Sequence, residues 1–168
     1  MGSELADVYG PIQSPYDVEE MISKMLVLVM DKVPCRAGSI IEIDYEQGDL
    51  FFRASVGSRA DELRNFRIPR DAGIVGHVLR TQTLYRTQSL VTDPFHIGSM
   101  SRTIGFDVTD ILACPIYAFS QPYGVLELFN RVPAGGFSDE DCACIQALVN
   151  EMTQFIEKGL TRYWELAA

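Results

Sequence analysis

The sequence predicts an α+β fold: a central antiparallel β-sheet of five to six strands, with helices from both ends of the chain packed on one face and short helices and loops over the other. Three observations predict it. Gln47-Gly48-Asp49 and Gln121-Pro122-Tyr123-Gly124 are turn sequences, each joining two strand-like runs. Hairpins build antiparallel sheets, because parallel neighbours need crossover connections. Ser14 and Ser138 each stand three residues before an aspartate, Asp17 and Asp141, which is capping-box spacing, and each opens a run with helical apolar periodicity. Two such helices need a sheet face to cover, which gives a layered architecture.

The elements follow in order. Residues 1–13 are mixed and polar, contain Gly10-Pro11, and are expected to form a flexible leader to a single domain over 14–165. Pro15 suits a first helical turn, and Val18, Met21, Ile22, Met25, Leu26, Leu28 and Val29 give that helix a wide apolar face ending near Pro34. Ile41, Ile43 and Tyr45 alternate with Glu42 and Asp44, a strand with one wet side, and Leu50 to Val56 is its return strand. Residues 57–66 are charged and predict a short helix; Ile68-Pro69 is extended; Gly73-Ile74-Val75-Gly76 opens a helix carried by Val78 and Leu79. Its glycines allow the backbone close to a neighbour or a ligand. Leu84 to Leu90 reads as a strand, and residues 93–110 as an irregular loop begun by Asp93-Pro94. Ile111 to Phe119 and Val125 to Phe129 form the second hairpin. The last helix, 138–165, carries Ile145, Leu148, Val149, Met152, Phe155, Ile156 and Leu160.

Composition narrows the function. The 168 residues suit one domain, and 47% apolar with 22% charged residues excludes wholesale disorder. Fourteen basic against 23 acidic residues leave a net charge of −9, so neither nucleic acid nor an anionic membrane surface is an expected partner. The longest apolar run, Met25 to Met30, is far short of a membrane span. The N-terminus has no basic region followed by an apolar stretch, so Cys35, Cys114, Cys142 and Cys144 are expected to be reduced in a cytoplasmic protein.

The run from Ile68-Pro69 and Gly73-Ile74-Val75-Gly76-His77-Val78, through Asp93-Pro94-Phe95, Gly105-Phe106, Ile111-Leu112, Cys114-Pro115-Ile116 and Gly124-Val125-Leu126-Glu127-Leu128, to Asn130-Arg131 and Phe137-Ser138-Asp139-Glu140-Asp141 resembles a GAF domain. The likeness is to those of cyclic-nucleotide phosphodiesterases and bacterial signalling proteins, a GAF/PAS-like fold. It implies an ion pair between Arg131 and Asp141 that ties the last strand to the last helix, within a signature of Asn130, Arg131, Phe137 and Asp141. Cys142 stands where the signature has a final glutamate. Asp141 also reads as nothing more than the capping-box carboxylate, and both roles are compatible.

The resemblance places a ligand pocket at Ala54, Ser55, Ile74, Val75, Ile97, Ser101, Ile104, Val108 and Glu127. Of the family's cyclic-nucleotide contacts only Glu127 keeps its type, and each lost buried hydrogen bond costs about 1–3 kcal/mol, so a less polar ligand, or none, is expected. Bilin attachment needs a cysteine in the 93–110 loop, which has none. Haem would need His77 or His96; His77 is expected to be structural, and no metal or other cofactor is expected. Some GAF proteins of this size reduce free methionine sulfoxide through a cysteine at the glycine-rich turn and others in the long loop. Val75 occupies that turn, so an enzyme is not expected.

The resulting expectation is a regulatory domain sensing an unknown small molecule. Met21, Met25 and Leu28 on one end helix and Leu148, Met152 and Phe155 on the other would meet a second copy in a parallel homodimer. Ligand binding would reposition the terminal helices and signal to an attached or separate output domain. The alternatives are a ligand-free structural dimerisation module and a methionine sulfoxide reductase.

Overall fold

A computed structural model describes residues 4–5, 13–58, 60–89, 92–95 and 107–168. The chain runs α1 (Pro15–Lys32), β1 (Cys35–Ile43), β2 (Asp49–Val56), α2 (Ala60–Leu63), β3 (Arg67–Pro69), α3 (Gly73–Thr81), β4 (Tyr85–Thr87), β5 (Ile111–Ala118), β6 (Gln121–Arg131) and α4 (Asp139–Ala167). The six strands form one antiparallel sheet in the order β3-β2-β1-β6-β5-β4, with β1 and β6 at its centre. Both expected hairpins are present, and both helix starts use their aspartates. Asp17 Oδ2 accepts from the Ser14 amide at 2.7 Å. At α4 the box closes in both directions: Ser138 Oγ accepts from the Asp141 amide at 3.1 Å, and Asp141 Oδ2 from the Ser138 amide at 2.9 Å.

The sheet separates two apolar clusters. On one face Ile22, Met25, Leu26 and Val29 of α1 pack with Ile145, Val149, Met152 and Ile156 of α4 over Ile40, Leu112, Leu126 and Leu128. On the other, Leu63 of α2 and Ile74, Val75 and Val78 of α3 cover Ile41, Leu50, Phe52, Val125 and Phe129. Strand periodicity divides the set: alternate residues of one strand belong to opposite clusters. The α1–α4 crossing is close because Gly159 faces Met21, where a side chain would meet the Met21 methyl group.

Two sequence expectations meet particular packing contacts here. Within the segment expected as a flexible leader, Leu5 is only 1% exposed in the helix-side cluster, and the Glu4 carboxylate pairs with Lys32 at 2.9 Å. The wide apolar face of α1 is also used up within the domain. Met21 and Met25, expected at an interface with a second copy, are buried in their own core together with Met152. The sheet and α4 both pack on α1, so its girth does not by itself require a partner chain.

Candidate functional site

The face opposite the terminal helices carries a line of small and polar residues through its middle. Cross-strand register puts Ser55 of β2 beside Ser39 of β1, Ser39 beside Glu127 of β6, Glu127 beside Ala113 of β5, and Ala113 beside Tyr85 of β4. Larger residues border the line: Ile41 lies two residues beyond Ser39, and Val125 and Phe129 lie two residues to either side of Glu127, while Ala37 lies two residues before Ser39. Small side chains between bulky ones leave a trough across the strands, and Glu127 stands on its floor.

Glu127 is 5% exposed. Among the described residues none donates a hydrogen bond to its carboxyl group. Ser39 and Ser55 instead share a hydrogen bond at 3.2 Å. Burial alone pushes the Glu127 carboxyl up to about 8, because desolvation disfavours the charged form. The two other buried carboxylates are fully engaged. Asp110 accepts from the Arg131 amide at 2.9 Å and the Thr109 hydroxyl at 2.6 Å. Asp141 accepts from the Arg131 guanidinium through both oxygens, at 2.8 and 3.2 Å.

An aromatic group closes the β4 end of the line. The His77 ring of α3 stacks on Phe95 with centroids 3.8 Å apart, and Tyr85 meets both rings edge-on. The Tyr85 hydroxyl donates to Asp93 Oδ2 at 2.6 Å, while Asp93 Oδ1 accepts from the Phe95 amide at 2.8 Å. These bonds fix the start of the loop that leads toward β5 against α3. His77 has the packing role expected of it.

The residues expected in the pocket divide into three groups. Glu127 and Ser55 are adjacent to Ser39 in the trough, Ile74 and Val75 lie in the apolar cluster of that face, and Val108 packs against that cluster. Ile97, Ser101 and Ile104 lie outside the described residues. Ala54 is on the wrong face, buried in the helix-side cluster. A bulge causes this: Ile40 pairs with Ala54 and Ile41 with Phe52, so Arg53 is an extra residue that turns the strand. Arg53 then binds Glu42 at 2.6 Å, and Glu42 also accepts from the buried Tyr123 hydroxyl at 2.5 Å. Sequence reading overlooked Ser39, Tyr85 and Asp93; a serine within a strand carries no local signal that it borders a buried carboxyl.

Beside this face Arg131 and Asp141 form the ion pair that the resemblance implied. Burial alone would raise the Asp141 carboxyl, but the Arg131 guanidinium and the Ser138 amide outweigh it and hold the group below the usual range. Asn130, in the left-handed region at φ 58°, accepts from the Thr109 amide at 2.8 Å and donates to the Asp107 carbonyl at 2.7 Å. The signature is thus a clasp that holds the end of β6 to α4 and to the approach to β5. Asp141→Ala removes an ion pair and a helix cap together, and is expected to cost about 1–3 kcal/mol. The urea midpoint should fall accordingly; an unchanged midpoint would show that the clasp adds no stability.

The GAF domain family model matches residues 16–157, and the chain belongs to that family. Solved structures of the same fold include the GAF domain of a phosphoenolpyruvate-protein phosphotransferase from Coxiella burnetii (TM-score 0.77, 17% identity, 94% of this chain and 93% of that one). A methyl-accepting chemotaxis protein fragment, residues 122 to 287, matches with a TM-score of 0.76 at 16% identity over 98% of both chains. The free methionine-R-sulfoxide reductase of Neisseria meningitidis, solved with its substrate, matches with a TM-score of 0.71 at 14% identity over 96% of this chain and 86% of that one. The last similarity overturns the expectation that the domain is not an enzyme. Enzymes share this fold, so the enzyme question is open, and the missing loop cysteines do not close it.

Proposed function

We propose that this GAF domain is a regulatory module that binds a small molecule on the sheet face carrying Ser55, Ser39 and Glu127. One observation carries the reading: one side of the sheet is packed with apolar side chains from α1 and α4, whereas the other holds a buried polar floor that its own side chains leave incompletely bonded. A filled structural core has no use for such a floor. Binding there would press on β6, and the Asn130-Arg131-Asp141 clasp links the end of β6 to the start of α4. The ligand would have to bind two arrangements of α4 unequally for a signal to pass.

A homodimer belongs to the same proposal. The large apolar residues that α1 and α4 leave exposed are Val27, Trp164 and Leu166, and these replace the buried methionines as its proposed contacts. A cytoplasmic setting is supported by four cysteines that are all unbridged. No helix among the described residues is long and apolar enough to cross a membrane.

Thermal-shift screening with a metabolite collection, combined with native mass spectrometry, tests the reading. The expected result is a compound that raises the melting temperature of a dimer and whose effect is weakened by substitutions at Ser39 or Ser55. A dimer that responds to no compound favours the structural dimerisation module. Turnover of methionine sulfoxide with a thiol reductant would instead group the protein with the enzymes of this fold.

A further inference from the structure

Of the three buried carboxyl groups among the described residues, Glu127 alone lacks a donor. Guanidinium groups of the sheet are paired with other carboxylates: Arg53 with Glu42, Arg67 with Asp44 and Asp49, Arg86 with Asp139, and Arg131 with Asp141. The cross-strand neighbours on either side, Ser39 and Ala113, are small and put no bulk beside the carboxyl, and the Ser39 and Ser55 hydroxyls offer further acceptor oxygens along the same line. The walls are Ile41, Val125 and Phe129, which suit an apolar body. An anion would hold Glu127 in its neutral form and gain no ionic bond from it, and a purely apolar molecule would leave the carboxyl without a partner, at the cost of an unmade hydrogen bond.

Resting on the ligand-binding reading above, we infer that the trough takes an organic cation: a primary ammonium or amidinium group on an apolar body, its charged end held by Glu127 and the Ser39 hydroxyl. A cation of this kind supplies both the charge and the N–H donors that the site lacks, and a desolvated ionic hydrogen bond is among the stronger ones available. The inference differs from a nucleotide site in the sign of the charge it selects.

The test uses the whole protein labelled with ¹³C at glutamate carboxyls, at pH 7, with n-butylammonium chloride as probe and n-butanol and sodium butyrate as controls. Saturating n-butylammonium is expected to move the Glu127 carboxyl resonance from its acid position toward the carboxylate position and to shift the amides of Ser39, Ser55 and Ala113. In Glu127→Gln, shown to be folded by its amide spectrum, affinity for n-butylammonium should drop at least tenfold. Equal responses to n-butanol or butyrate, or undiminished binding by the variant, would overturn the cation class while leaving the sensor reading in place. If n-butylammonium leaves the Glu127 resonance and the trough amides unmoved, the inference fails. The metabolite screen then decides the sensor reading separately.

Discussion

Glu127→Gln is expected to make the protein more stable at neutral and alkaline pH. The folded protein holds the Glu127 proton up to about 8, against an ordinary value of 4.5. Below the ordinary value the group is protonated in both folded and unfolded chains and contributes no difference. As pH rises past it, the unfolded chain releases the proton while the folded chain still holds it, and native stability falls until the folded value is passed. The loss above pH 8 is on the order of 5 kcal/mol. Glutamine keeps the shape and cannot ionise, so the variant escapes this loss. Urea denaturation of both proteins from pH 4 to pH 9 should give curves that coincide at the acid end and separate steadily to the alkaline end, the variant being the more stable. Every other titration is shared and cancels in the difference. Parallel curves would mean that Glu127 is not buried without a partner. A residue retained at such a cost is one expected to act, since sites built for binding are often locally destabilising.

Gly124→Ala is expected to be the most damaging single-methyl change in the sheet. Gly124 lies in central strand β6, opposite Glu42 on one side and Ile116 on the other. A Cβ there would fall within the van der Waals radius of the Ile41 carbonyl oxygen, on backbone that neighbouring strands hold in place. The methyl group has no flexible neighbour to displace, so β1 and β6 would have to separate. The expected loss exceeds about 4 kcal/mol, or roughly 10 °C in melting temperature for a chain of this size. Gly48→Ala is the control. Its backbone is left-handed at φ +81°, but nothing lies within 4 Å of its added methyl group, so only about 1 kcal/mol of backbone strain is expected. Equal melting temperatures for the two variants would show that β1 and β6 do not approach as closely as described.

Much of this was legible because the signals are local. Turn residues dictate hairpins through the backbone angles they accept, and capping boxes mark helix starts through contacts spanning three residues. The clasp of Asn130, Arg131, Phe137 and Asp141 was anticipated because the family resemblance implies it at those positions. Glu127 could be named as a pocket residue, but only its strand neighbours show that it has no partner. The side on which Ala54 falls was not legible, since the bulge at Arg53 exists only in the pairing of β2 with β1. Nor was the occupancy of the α1 apolar face, because α4 and the sheet reach it from distant parts of the chain.

By itself, then, the sequence determined the order and kind of the elements, the antiparallel sheet and the family. The elements and the sheet follow from periodicities, caps and turns that act over a few residues, and the family from the resemblance carried by the motifs between Ile68 and Asp141. Only the tertiary structure decided which side chains share a face, which buried carboxyl lacks a partner and which helical stripes are already covered. Those depend on register and packing between segments far apart in the chain, where a shift of one residue moves a side chain to the opposite side of the sheet.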